Sequence, residues 1–413
     1  MKKILCNGQA EINCYPEYGF LFSILNDIYD PWVMNHFIQI QMIPGWEYFL
    51  SFQKHSELLE DCPYIERRVM ERNELEEQGD VAEFVEKQIQ KNNCLFLFLD
   101  RFYIKGVSEY QRYHYMHNSF VVGFDSEQSI IFLADNFENG KFSMLECTYE
   151  DFRKAFCYED RYHVKHSVLQ REYAEDIVKY IEDLIDQNGK AFVFAERHEI
   201  SELKTPFSMA HEVEIIGYDK IQNLFFIKDR SVRPDGTVKC SYDELRNAYR
   251  RDPKEEQNEN IWIIHKKNDE KREIIDIRKI KTEIEAFLEP PEKKMIGGYA
   301  HYFGTEALNV LAEGIRENKT IRFRVWHFLY EYETIMERRI HKLFELGLLN
   351  TDEILIEELE KLKISFRKLR NIAVKNSLVN YGIDEYYVNY AADTIEKEKR
   401  YMEYLYQRMK TAF

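Results

Sequence analysis

His117-Asn-Ser-Phe-Val-Val-Gly-Phe-Asp125 and His211-Glu-Val-Glu-Ile-Ile-Gly-Tyr-Asp219 are two versions of one phrase. Each leads to a further aspartate, Asp135 or Asp229, 18 positions after its histidine. Each copy then closes on a matching stretch, Cys147-Thr-Tyr-Glu-Asp-Phe-Arg-Lys-Ala-Phe156 against Cys240-Ser-Tyr-Asp-Glu-Leu-Arg-Asn-Ala-Tyr249. Upstream of each phrase lies an amphipathic helical pattern (81–90; 174–186), then an apolar strand (94–99; 191–195) ending in Asp100-Arg101 or Glu196-Arg197. The match predicts that 80–157 and 173–250 are two helix-plus-antiparallel-sheet units related by a pseudo-twofold. In each, the strand that starts at the histidine and the strand that ends at the aspartate form a hairpin, which brings those two ends together.

Around the repeat the chain changes character twice. The segment 12–52 is aromatic-rich and nearly uncharged, and 17–28 places Phe20, Ile24, Leu25 and Ile28 on one helical face, with Cys14 at its start. After a last strand at 261–264 and a charged linker at 266–272, helical periods cover 274–288, 302–317, 321–347, 352–379 and 384–410. Pro290-Pro291 and Gly297-Gly298 are the main breaks. The expected fold is α+β in three parts: a catalytic unit (1–160), the second copy (161–270) and an all-helical C-terminal domain (271–413). The aromatic load of Trp326, Phe328, Tyr330 and Tyr332 predicts that the last part packs against the catalytic unit.

Composition narrows the function classes. With 28 Tyr, 28 Phe and few Gly or Pro, the chain reads as well packed rather than disordered. A net charge of −16 argues against nucleic acid as a partner. Seven cysteines without a CxxC pair read as reduced thiols, so a cytoplasmic protein is expected, with no signal peptide and no membrane span. No zinc motif, glycine-rich phosphate loop or dinucleotide fingerprint is present, and neither a metal nor a bound cofactor is expected. His163 and His166 read as surface residues.

A thiol is little ionised at neutral pH, and an imidazole oriented by a carboxylate activates it. The order Cys14, then His117 in its phrase, then Asp135 after the hairpin resembles the papain-like fold of double-glycine leader peptidases. It resembles more specifically the butirosin biosynthesis protein H-like family, whose members append a helical C-terminal region and move an acyl chain from a carrier-protein thioester to an amine in antibiotic biosynthesis. The resemblance implies that Cys14 is the nucleophile, His117 the general base and Asp135 the orienting carboxylate, with Gln9 or Asn13 supplying an oxyanion-hole amide. It also implies a phosphopantetheine-linked acyl donor as substrate, an acyl or peptidyl carrier protein as partner, and an amine-bearing small molecule or peptide as acceptor.

Cys6 is the competing thiol, while Cys94, Cys147, Cys157 and Cys240 read as structural. His211 and Asp229 read as a non-catalytic pair, because no cysteine-bearing helix precedes them. Two basic stretches, Glu337-Arg-Arg-Ile-His-Lys342 and Lys361-Leu-Lys-Ile-Ser-Phe-Arg-Lys-Leu-Arg370, are solvated helix faces or docking patches for an acidic carrier protein. The sequence therefore leads to a cysteine-dependent acyltransferase of specialised metabolism. The alternatives are a cysteine peptidase or amidase of the same fold and a catalytically inactive binding module.

Overall fold

A computed structural model describes the chain except for residues 7, 26–30, 47, 54–57, 71–73, 76–78, 113–114, 139–140, 157–175, 189–190, 204–209, 229–236, 250–260, 268–272, 297–298, 318–322, 380–384 and 411–413. The fold is mixed α and β, with antiparallel sheets and C-terminal helices. The chain opens with β1 (Lys2–Ile4), α1 (Pro16–Leu25), α2 (Pro31–His36), β2 (Ile40–Ile43), β3 (Phe49–Phe52), α3 (Leu58–Asp61) and β4 (Ile65–Met70). The first copy of the repeat follows as α4 (Val81–Gln90), β5 (Asn93–Asp100), β6 (Met116–Asp125), β7 (Ile130–Glu138), β8 (Lys141–Thr148) and α5 (Tyr149–Phe156). The second is α6 (Ile177–Asn188), β9 (Ala191–Glu196), β10 (Ala210–Asp219), β11 (Leu224–Lys228), β12 (Thr237–Ser241) and α7 (Tyr242–Ala248). Then come β13 (Ile261–Lys266), α8 (Ile277–Leu288), β14 (Lys294–Ile296), β15 (Tyr299–Phe303), α9 (Gly304–Arg316), α10 (Phe323–Glu345), α11 (Glu353–Val379) and α12 (Glu385–Lys410).

Two compact units draw on separated stretches of chain. The first comprises Met1–Ile4, Arg68–Leu133 and Leu145–Ile264; the second comprises Leu5–Arg67, Ala134–Met144 and His265–Phe413.

The first unit holds the second copy of the repeat and most of the first, whose residues Ala134–Met144 belong to the second unit. β5-β6-β7-β8 run side by side within a seven-stranded sheet, and β9-β10-β11-β12 form a four-stranded sheet in the same sequential order. The registers agree: His117 lies opposite Leu99, and His211 opposite Ala195. Asp125 Oδ1 accepts from the N–H groups of Glu127 and Gln128, as Asp219 Oδ1 does from Ile221 and Gln222. These are Asx turns, which an aspartate at the end of a strand forms readily. Each hairpin then passes through a left-handed residue, Ser129 or Asn223, whose carbonyl accepts from the first tyrosine of the closing helix. That tyrosine's hydroxyl donates to a glutamate of the opening helix, Tyr149 to Glu86 and Tyr242 to Glu182. The predicted duplication is thus present strand for strand, turn for turn and in one side-chain contact.

The second unit is built around α10, where Trp326, Phe328 and Tyr332 are buried and Tyr330 is half-buried. Phe328 packs edge-on against Phe52, and the Tyr332 hydroxyl donates to the Ile38 carbonyl, so the C-terminal helices pack on the segment that carries Cys14. Arg339, fully buried, donates to the carbonyls of Val33, Met34 and Phe37 around the end of α2. Gly19 marks a close approach within α1, since a Cβ there would fall 2.3 Å from the ring of Phe142.

The C-terminal region is not all helix, which corrects the sequence expectation. β14 and β15 lie inside it, and β15 pairs with β2 in the four-stranded sheet β14-β15-β2-β3. Tyr299, His301 and Phe303 are buried while Ala300 and Tyr302 are less so, a period of two that a search for 3.6-residue periods passes over. Gly297-Gly298 is a composition that two-residue hairpins favour, and it carries information beyond a helix break.

Candidate functional site

Pro16 presets φ for the first turn of α1, and the first helical bond runs from the Gly19 N–H to the Tyr15 carbonyl. The amides of Asn13 and Cys14 precede that turn and have no acceptor within the helix. Glu331, on α10 of the same unit, receives both: Oε1 accepts from Asn13 N–H at 2.9 Å and Oε2 from Cys14 N–H at 2.8 Å. The Cys14 thiol also hydrogen-bonds this carboxylate. Cys14 is 1% exposed, and the whole Glu331 side chain is buried with it.

Burial sets the electrostatics. It raises Glu331 to about 7, against the pull of the thiol, the two amides and Arg370. Burial, and then the charge of Glu331, push the Cys14 thiol well above its ordinary range, with Arg324 opposing them. The resting sulfur is therefore a thiol, and its neighbour is a carboxylate that titrates near neutrality. His327, one turn before Glu331 on α10, is pushed down to about 4 by burial and by Arg370, Lys141 and Arg324, so its ring is neutral. Arg370 Nη1 lies 3.3 Å from His327 Nδ1, and a guanidinium only donates. Nδ1 thus accepts, and Nε2–H faces Glu331 Oε1 at 3.3 Å. The result is a relay that runs inward from half-buried Arg370 through His327 to buried Glu331, with Cys14 at its end.

The turn that bears Cys14 is held from one further side. Asn136 Nδ2 donates to the Asn13 carbonyl at 3.0 Å, and Asn13 Nδ2 to the Ala10 carbonyl at 3.0 Å. Asn13 Oδ1 and Asn136 Oδ1 are buried and, among the described residues, accept no hydrogen bond. Two free acceptors beside the thiol are an opening for a ligand that donates N–H or O–H.

The other residues singled out from the sequence are placed as follows. Asp135 is buried in the second unit, and its Oδ1 accepts from the Asn136 N–H at 2.6 Å. His117 belongs to the first unit. Its Nδ1 has the Asn118 carbonyl oxygen at 2.6 Å and Arg101 Nη2 at 3.0 Å, with Tyr115 stacked on the ring. Gln9 is exposed, whereas Asn13 reaches Glu331 through its backbone. Cys6 is buried and its thiol pushed up by burial, as are Cys147 and Cys240, while Cys94 is simply buried. His211 sits on β10, but its side chain, like Asp229, Cys157, His163 and His166, lies outside the described residues.

In the first basic stretch Arg339 is buried, whereas Arg338 pairs with Glu11 and Lys342 with Glu345 nearer the surface. Glu331 and His327 were not singled out from the sequence, and Arg370 only as the end of a basic stretch. Their signal was a carboxylate between aromatics, Tyr330-Glu331-Tyr332, with a histidine four positions earlier on an apolar helix. Among the described residues no group of three or more His, Cys, Asp or Glu could hold a metal, and no helix is long and apolar enough to cross a membrane. No known protein-family model matches the chain, and no curated protein matches it.

Proposed function

We propose that the protein is a cysteine-dependent acyltransferase in which Cys14 takes an acyl group from a thioester and passes it to an amine. The observation that carries the proposal is the convergence of the Cys14 thiol and the Asn13 and Cys14 amides on the single carboxylate of Glu331. A carboxyl near 7 suits a general base at neutral pH, and paired amides at a helix start suit a developing oxyanion. In this scheme Glu331 takes the thiol proton and becomes neutral, which loosens its hold on both amides. The thiolate attacks the thioester carbonyl carbon, whose oxygen takes the vacated amides. The donor's C–S bond breaks, and the departing thiolate recovers the proton from Glu331. An amine then attacks acyl-Cys14, gives its proton to Glu331 and leaves an amide, and the released Cys14 sulfur is reprotonated. Asn13 Oδ1 and Asn136 Oδ1 would receive the amine N–H groups.

The papain-like reading of the fold, the carrier-protein donor and a place in antibiotic biosynthesis belong to this same proposal. They rest on a cysteine at a helix start followed by a histidine-bearing antiparallel sheet. In this scheme Glu331 takes the role of base that the resemblance assigns to His117. A second reading, a silent clamp in which Glu331 only caps α1, draws on the burial of Cys14. Incubation with a simple acyl thioester separates the two, since the enzyme leaves a covalent acyl adduct on Cys14 and the clamp leaves none. An added amine then speeds turnover for a transferase, whereas water alone suffices for a peptidase or amidase.

A further inference from the structure

We infer that one face of α11 is a docking surface for an acidic, amphipathic helix of a partner protein, and that it communicates with the Cys14 network. Ile364, Arg367, Lys368, Asn371, Ile372 and Lys375 line an open groove of about 370 Å³. Their spacing is that of a single helical face. Ile364 is 50% exposed, and Arg367, Lys368 and Lys375 are exposed too. Lys368 lies over Tyr390 and donates to the hydroxyl of Tyr386, itself 58% exposed, which adds an aromatic rim. In a chain of net charge −16, no carboxylate among the described residues pairs with Arg367 or Lys375.

An apolar strip flanked by unpaired cations and tyrosines selects a complementary apolar strip flanked by carboxylates. An elongated face about three turns long fits a helix laid alongside it. A second copy of this chain is the competing occupant, as it too carries acidic helices. The same face leads inward: the Arg370 guanidinium holds Asn371 Oδ1 at 3.2 Å and His327 Nδ1 at 3.3 Å, and His327 meets Glu331. A ligand that engages Asn371 therefore takes a partner from the guanidinium that fixes the His327 tautomer. The docking surface does not depend on the reaction assigned to Cys14.

The test uses the full chain and a fluorescent synthetic peptide of about four helical turns, with a leucine stripe between two rows of glutamate. Anisotropy should show saturable binding, weakened at least about tenfold by R367E/K375E and by I364E. All three positions are exposed, and circular dichroism checks that the variants stay folded. K397E, on α12, should leave binding unchanged. A scrambled peptide of equal charge should bind about tenfold more weakly. Peptide binding should also change the rate at which a small thiol reagent labels Cys14. Equal binding by the scrambled peptide, or indifference to I364E and R367E/K375E, overturns the docking surface. Self-association that R367E/K375E abolishes replaces the partner with a second copy. Peptide binding with Cys14 labelling unchanged overturns the communication.

Discussion

In the first copy of the repeat, Gly123 faces β1, and a Cβ there would lie 2.7 Å from the Lys3 carbonyl oxygen. In the second copy Gly217 holds the same place in the phrase, yet the nearest neighbour of a Cβ would be Phe226 Cδ2 at 3.5 Å. The glycine is needed in one copy and merely kept in the other. The histidines repeat this contrast only in part: their registers match, but His117 is flanked by Arg101 and Tyr115, while in the second copy it is His198 that pairs with Glu196. What the copies share is scaffold: Asx turns, left-handed corner residues, and a tyrosine tied to a glutamate. The lesson is that these shared turns, corners and ties report how the hairpin is built, while in the proposed mechanism the base for Cys14 is Glu331.

The largest expected effect follows from that lesson. Glu331→Gln should lower the rate of thioester consumption by about 100- to 10,000-fold, the range for losing a general base. His117→Ala and His211→Ala should leave it within a few-fold of the parent. If the repeat carried the chemistry, His117→Ala would instead be the damaging change.

Stability variants sharpen the contrast between the copies. Gly123→Ala should cost about 1–3 kcal/mol in urea unfolding, because its new methyl meets rigid backbone. Gly217→Ala should stay within about 0.5 kcal/mol. Equal losses would mean that β1 does not pack as described. The shared tyrosines should instead behave alike: Tyr149→Phe and Tyr242→Phe should each cost about 1 kcal/mol.

The smallest effect concerns pH in the second unit, which has no counterpart in the repeat. Glu333 on α10 and Glu398 on α12 face each other in the core; burial raises Glu398 to about 7 and, with the charge of Glu398, holds Glu333 well above the carboxylate range. Raised carboxyls stabilise the fold fully below their unfolded value of about 4.5, and that contribution is lost as pH rises through about 7. Glu331 acts in the same sense, whereas His327, lowered to about 4, withdraws stability as pH falls from its unfolded 6.5. The melting temperature should therefore decline from about pH 5 to 7, and Glu398→Gln should flatten that decline. An unchanged slope in the variant would show that the pair is not titrating there.

Much of the architecture was legible in the sequence because it rests on local periodicity. The helix 81–90 and the strand 224–228 coincide with α4 and β11, and the long C-terminal helices fall within a few residues of their expected bounds. The strands β14 and β15 were missed because they are short and stand between strong helical patterns. Cys14 was legible as a thiol at a helix start. Its partner was not, since Glu331 lies 317 residues away and a carboxylate between two tyrosines does not say which distant group it meets. Within the basic stretch at 337–342 the role of Arg339 was equally hidden, since it satisfies the distant carbonyls of Val33, Met34 and Phe37.

The most direct measurement is single-turnover acylation followed by intact mass and peptide mapping, on the parent chain, Cys14→Ala, Glu331→Gln and His117→Ala. An acyl thioester should leave one adduct, mapped to Cys14, in the parent and in His117→Ala. It should form at least about 100-fold more slowly in Glu331→Gln and not at all in Cys14→Ala. An adduct on another cysteine, or one that forms normally in Glu331→Gln and vanishes in His117→Ala, would contradict the account.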